Sequence, residues 1–222
     1  MVGLAAEARI ARRLGCPVAI GGGTAAGAEA AGRRMVQAGA TGLISFGLAG
    51  GLDPGLRPGT ILIAAEVLCR PDRDAKPDAI AAARAMHRFT ADAMLSFRLG
   101  GATGHVMLGA ETIVADADAK RALWQATGAA AVDLESGAVA RVAAEHGLPF
   151  AVLRAVCDPA ERDLPPAALI ALDRHGAIGF ARVLGSVLAH PAQLAALLAL
   201  AADAAAARRA LRDVVMRVRA NF

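Results

Sequence analysis

Two carboxylic acids in the second half of the chain, Glu135 and Asp158, occupy positions where side chains commonly carry out chemistry. Glu135 precedes residues 137–146, whose apolar spacing predicts a helix that a glycine and a proline then end. Residues 150–156 are apolar throughout, which predicts a buried strand just before Asp158. Ligands of parallel α/β sheets bind beyond the carboxyl ends of strands. The two acids therefore predict a site, although each alone also fits an ordinary helix-start or turn residue.

The elements that would position these acids alternate between short apolar runs and helical runs. Such alternation predicts an α/β fold, here a three-layer α/β/α sandwich with a mixed, largely parallel central sheet. At the N-terminus a short extended segment at residues 2–4 precedes a helical run at residues 5–14. The predicted strands are residues 17–21, 42–46, 59–68, 102–108, 130–133 and 149–156; the predicted helices are residues 25–38, 78–95, 116–126, 137–146 and the C-terminal region.

Composition narrows the class of protein. A chain of 222 residues with 56% hydrophobic residues can bury one large core. We expect a catalytic domain at residues 1–190, extended by an amphipathic helical segment at residues 191–222. Aromatic residues make up only 3% and the formal charge is +4, which argues against nucleic-acid binding. The three cysteines and five histidines show no metal-ligand spacing, so we expect no metal, and no secretory leader is visible. These features predict a cytoplasmic protein.

Three ordered motifs resemble those of one enzyme superfamily. They are Gly47-Leu-Ala-Gly-Gly-Leu52, Val132-Asp-Leu-Glu-Ser-Gly-Ala-Val-Ala140 and Arg154-Ala-Val-Cys-Asp158. The chain resembles the purine nucleoside phosphorylases and the methylthioadenosine/adenosylhomocysteine nucleosidases. Within that superfamily, Cys157-Asp-Pro-Ala160, Leu164-Pro-Pro-Ala-Ala168 and the Ala/Leu/Arg-rich tail most resemble the hopanoid-biosynthesis-associated phosphorylase branch.

The resemblance implies cleavage of the N-glycosidic bond of a purine nucleoside. It implies that Asp158 is the general acid for the leaving purine and that Glu135 binds the ribose hydroxyls. Glu7 resembles the glutamate that prepares the nucleophile, although a solvated acid in a first helical turn is an equally good interpretation. The resemblance, together with the charge on an apolar strand end, adds substrate-binding candidates: Leu134, Arg154, Ala49, Gly50, Ile113 and Val114. Core packing is an alternative for Ile113 and Val114, and Arg154 could pair with Glu135 or Glu7.

The nucleophile stays open between water and phosphate. Phosphorylases of this superfamily place arginine and serine around the glycine loop, where this chain has Ser45 and Leu48. Leucine donates no hydrogen bond from its side chain, and Arg9 is the candidate to compensate. We expect no cofactor, with phosphate as a conceivable co-substrate.

The substrate suggested by the narrower resemblance is adenosylhopane, which would release adenine. The alternatives are a methylthioadenosine/adenosylhomocysteine nucleosidase, a soluble purine nucleoside phosphorylase, and a non-catalytic nucleoside- or lipid-binding protein.

The tail has apolar residues at helical spacing opposite arginines, which favours packing on its own domain or on a partner copy. The sharper alternative is peripheral contact with the inner membrane surface. We expect a homodimer or a larger homo-oligomer. The apolar positions are Leu194, Leu197, Leu198, Leu211, Val214, Val215 and Val218.

Overall fold

A computed structural model describes residues 1–70, 86–166, 168 and 193–222. The strands are β1 (Leu43–Gly51), β2 (Ile61–Ile63), β3 (Glu66–Cys69), β4 (His87–Thr90), β5 (Val106–Gly109), β6 (Ala131–Asp133) and β7 (Phe150–Asp158). The helices are α1 (Ala5–Ala11), α2 (Ala25–Gln37), α3 (Ala93–Arg98), α4 (Ala117–Thr127), α5 (Ser136–Glu145) and α6 (Gln193–Val218). One-turn 3₁₀ helices follow α1 and α6.

The strands form one mixed seven-stranded sheet in the order β2-β7-β1-β6-β5-β3-β4. The pairs β1–β7, β3–β5 and β5–β6 are parallel, and β1–β6, β2–β7 and β3–β4 are antiparallel. The mixed α/β architecture is as predicted, with three parallel and three antiparallel pairings among the described strands. The short strands β2, β4 and β6 reverse direction relative to a neighbour, which the apolar runs alone do not reveal.

The sheet curls strongly, because β2 and β3 are consecutive in sequence but lie five positions apart in the sheet order. Only Ala64 and Ala65 separate them, and so short a connection spans roughly 11 Å. Five steps between neighbouring strands of a flat sheet would require about 24 Å. The predicted strand at 59–68 is therefore two strands, one pairing with β7 and the other with β5 and β4.

Strand β7 is buried on both of its faces. Val152 and Val156 belong to an apolar cluster with α2 and α5, whereas Leu153 and Ala155 belong to one with α1 and α6. Side chains alternate between the faces of a strand, so helices cover both sides of the sheet. This arrangement is the predicted three-layer α/β/α sandwich.

Local hydrogen bonds set the starts of several helices. The side chains of Thr24, Asp92 and Asp116 each accept a backbone N–H from the first turn of α2, α3 and α4. Such caps satisfy donors that have no partner inside the helix. Helix α4 ends at Gly128, whose φ of 68° suits glycine best.

Two further predicted elements differ in the described residues. The strand predicted at 17–21 reduces to a single bridge from Ile20 to Val2, because α1 begins soon after Val2 and leaves no longer partner. The helix predicted at 78–95 is wrong at His87–Thr90, which pairs with β3 instead. Residues 78–85 of that prediction lie outside the described residues. Here pairing to a neighbouring strand overrides the local helical pattern.

Helix α6 packs its C-terminal half into the domain. Leu211, Val214, Val215 and Val218 are buried against the face of β7 that α1 also covers. These residues cannot face lipid. The interpretation that the tail contacts the membrane is therefore wrong for these four residues. Leu194 and Leu198 of the N-terminal half are 51% and 64% exposed. Within the described part of the chain, no helix is both long enough and apolar enough to span a membrane.

Candidate active site

One cavity of about 540 Å³ lies among the ends of β1, β6 and β7 and the start of α1. Its lining is mostly apolar, with acids from three separate segments of the chain. All nine residues predicted for the site line it: Glu7, Ala49, Gly50, Ile113, Val114, Leu134, Glu135, Arg154 and Asp158. The sequence-based grouping of these residues therefore corresponds to one place in the fold.

Arg154 is buried among three of the acids that line the cavity: Asp133, Glu135 and Glu7. Its Nε lies 2.7 Å from Asp133 Oδ2, and its Nη2 donates to Glu135 Oε2 at 3.0 Å and to Ser45 Oγ at 2.6 Å. The side chain is 2% exposed. Burial alone would lower the pKa of Arg154, but the carboxylates of Asp133, Glu135 and Glu7 raise it. Arg154 thus stays charged, and its guanidinium is committed to protein partners.

Asp133 was not among the predicted site residues, although it lines the cavity. Its Oδ1 accepts the backbone N–H groups of Glu135 at 3.2 Å and Ser136 at 2.9 Å. These bonds satisfy donors at the start of α5. An aspartate before a helical run is a capping signal, and this signal could have identified Asp133. By joining α5 to Arg154, Asp133 fixes the backbone from which Glu135 projects.

Glu135 lines the cavity, and only one of its two carboxylate oxygens has a partner among the described residues. Its Oε2 is held by Arg154, whereas its Oε1 is buried and has no hydrogen-bond partner among the described residues. Burial raises the pKa of Glu135, and the charge of Arg154 opposes that rise. A Cβ on Gly3 would lie 2.6 Å from Glu135 Oε1, so a larger residue there would displace this carboxylate. A buried acceptor without a partner is costly, and a ligand hydroxyl would satisfy it.

Glu7 is buried and held by backbone donors. Its Oε2 accepts from Gly3 N at 3.0 Å and Leu4 N at 2.9 Å, and its Oε1 accepts from Leu48 N at 3.1 Å. With 4% exposure, it is not the solvated first-turn acid that was the alternative interpretation. Each carboxylate oxygen can accept more than one hydrogen bond, so Oε1 can still accept one from a water.

Asp158 lies over Gly50, where a Cβ would stand 3.2 Å from its Oδ1. Its Oδ2 accepts from Lys120 Nζ at 2.6 Å, and its Oδ1 accepts from Cys157 Sγ at 3.3 Å. Burial, followed by the charge of Asp158, raises the pKa of Cys157 well above its usual value, so the thiol acts as a donor. Lys120 was not predicted, since no spacing in the sequence links α4 to the end of β7.

The described residues do not build a phosphate site around the glycine loop. Ser45 is fully buried and its Oγ lies 3.0 Å from Ser136 Oγ, away from the cavity. Leu48 lines the cavity, whereas Arg9 is exposed and lies outside the lining. Arg154 is the one cation among the described lining residues, and it is paired already. The predicted compensation by Arg9 is therefore wrong in this structure.

The fold is a mixed α/β sandwich with buried acids in one cavity at the strand ends, and the family comparison gives its class. The sequence profile of the phosphorylase superfamily matches residues 20–189. The chain belongs to this superfamily. The prediction of an enzyme from the nucleosidase and nucleoside phosphorylase group is confirmed at that level. The comparison with curated proteins finds no match.

Solved structures with a similar fold include several nucleosidases. The Neisseria meningitidis 5′-methylthioadenosine/S-adenosylhomocysteine nucleosidase, bound to methylthio-immucillin-A, has a TM-score of 0.58 at 20% identity over 88% of this chain and 78% of its own. The Helicobacter pylori futalosine hydrolase has a TM-score of 0.62 at 17% identity over 97% of this chain and 95% of its own. At these identities the similarity establishes the fold.

Proposed function

We propose that this protein hydrolyses the N-glycosidic bond of a purine nucleoside. The observation that carries the proposal is the grouping of three buried acids, Glu135, Asp158 and Glu7, in the lining of one cavity. A ribose hydroxyl would donate to the carboxylate of Glu135. The similar solved structures are named for nucleosidases that act on 5′-methylthioadenosine, S-adenosylhomocysteine or futalosine, which supports the same class of substrate.

The chemistry assigns one role to each acid. As the C1′–N9 bond breaks, its electron pair moves to the purine, and a proton moves from Asp158 to N7. The sugar becomes electron-deficient at C1′, and the acids around Arg154 stabilise the developing positive charge. A water then forms a bond to C1′ and gives a proton to Glu7, which is held by three backbone donors.

Water is the better candidate nucleophile, because the lining offers phosphate no uncommitted cation among the described residues. The guanidinium of Arg154 already faces Asp133, Glu135 and Ser45. Binding a dianion beside Glu7 and Glu135 would add like-charge repulsion.

We therefore expect dialysed protein to release adenine from adenosine derivatives at the same rate with and without added phosphate. The products, free sugar or sugar phosphate, are identified by mass spectrometry. Strict dependence on phosphate would assign the protein to phosphorolysis. Binding of the nucleoside without any product would instead support the non-catalytic alternative.

The 5′ side of the substrate is expected to be neutral and apolar. Leu4, Ala5 and Ala6 form an exposed part of the cavity lining, and Leu4 is 41% exposed. Among the described residues, this rim offers no cation for the carboxylate of a homocysteine group. We propose adenosylhopane, with release of adenine, as the finer candidate, and methylthioadenosine as the alternative. An apolar group as large as hopane would extend past Leu4 and would bring the protein to a membrane surface.

In lipid vesicles, we expect higher kcat/KM on adenosylhopane than on methylthioadenosine, because contact with apolar area contributes roughly 25 cal/mol per Å². Leu4→Ser should lower kcat/KM on the lipid substrate and leave that on methylthioadenosine nearly unchanged. Phe97→Ser is the control, since Phe97 is exposed on α3 and does not line the cavity. Equal efficiency on both substrates for every variant would favour an ordinary nucleosidase.

A further inference from the structure

Lys120 is a fully buried cation behind the proposed general acid. It projects from α4 and has no exposed surface, which is rare for lysine. Its Nζ donates to Asp158 Oδ2 at 2.6 Å, to Pro159 O at 3.1 Å and to Arg162 O at 2.8 Å. An ammonium has three donors and no acceptor, so these three oxygens satisfy it completely.

Two further hydrogen bonds, besides those of Lys120, join the loop after β7 to the start of α4. Asp163 Oδ1 accepts from Ala117 N at 2.7 Å, and Leu164 N donates to Ala115 O at 2.8 Å. Leu164 itself lines the cavity. Lys120 therefore contacts both the acid and the loop that covers it, and it does so without lining the cavity.

We propose that Lys120 is a positioning residue that holds the carboxyl group of Asp158 in the orientation from which it donates a proton to the leaving purine. This role rests on the proposed hydrolysis. When the O–H bond of Asp158 breaks and the N7–H bond forms, the carboxyl group becomes a carboxylate. The ammonium at 2.6 Å stays bonded to Oδ2 through this step. Its bond to Oδ2 also fixes the orientation of the carboxyl group over Gly50.

The test separates proton donation from folding by the choice of leaving group. Purine nucleosides need a proton on the base, whereas 4-nitrophenyl β-D-ribofuranoside releases a phenolate that needs none. Lys120→Met keeps most of the side-chain volume and removes the charge. We expect it to lower kcat on adenosine derivatives about 100-fold. KM on those substrates, and kcat on the nitrophenyl riboside, should change by no more than about threefold.

Arg121→Met is the matched control, because Arg121 is the next residue on α4 and is 62% exposed in its pair with Asp118. It should behave like the unmodified protein on both substrates. Lys120→Gln, measured in the same way, is used if the methionine variant does not fold. An equal loss on both substrates, no loss on either, or failure of both variants to fold would make Lys120 structural and overturn the proposal. Failure of the proposed function looks different, since the unmodified protein would then release no purine.

Discussion

Replacing Asp158 by asparagine is expected to lower the rate of purine release by about 10²- to 10⁴-fold while the protein stays folded. The amide cannot supply a proton to N7, although its oxygen can still accept the hydrogen bond that Lys120 now donates to Oδ2. Single-turnover measurement of adenine release checks the expectation.

The matched control is Asp163→Asn, the same chemical change in the loop that follows β7. Asp163 is exposed and accepts from Ala117 N, and an asparagine oxygen can do the same, so activity should be retained. Full turnover by the Asp158 variant would remove Asp158 from the reaction.

Replacing Arg154 by methionine is expected to lower the free energy of unfolding by about 3–5 kcal/mol, because it leaves buried carboxylates without their counter-charge. Asp133, Glu135 and Glu7 all act on this guanidinium. Urea unfolding of the variant and the unmodified protein measures the difference. Arg57→Met is the surface control, since its pair with Glu161 is more than half exposed and should contribute little.

The loss of stability caused by Arg154→Met should grow as the pH rises. Burial already raises the pKa of Glu135 above its ordinary value, while Arg154 lowers it, so the variant should have a still higher pKa at this group. The folded state then binds this proton more tightly than the unfolded state, and stability falls as pH rises from about 4.5 through the folded pKa. The variant should therefore be closest to the unmodified protein at about pH 5 and furthest from it at about pH 7.5. The opposite trend would mean that Glu135 does not depend on Arg154.

The parts of the fold and site that could be predicted from the sequence are those carried by contiguous patterns. Glu135 and Asp158 flank a helix and a strand whose apolar spacing is clear, and the structure does place both in one cavity. Lys120 lies near the start of an ordinary amphipathic helix. Its contact with Asp158 depends on how α4 docks against the loop after β7. No local pattern contains that information.

The curled sheet likewise contains backbone structure that local sequence patterns do not predict. Residues 59–68 have the composition of one strand, but the chain bends at Ala64 and Ala65 and pairs with opposite ends of the sheet order. At His87–Thr90, a partner strand decides the conformation against the helical pattern. Pairing between segments distant in sequence determines both outcomes.

The packing of α6 on β7 has a consequence for how the protein is made. Strand β7 carries Arg154 and Asp158, and its face with Leu153 and Ala155 is covered by Leu211 and Val215 of a helix far downstream. During synthesis the strand leaves the ribosome before this cover exists. A nascent chain that stops before α6 would keep that apolar face open to other chains, and such faces promote aggregation. Strand β7, with Arg154 and Asp158, is therefore fully packed only after α6 has been translated.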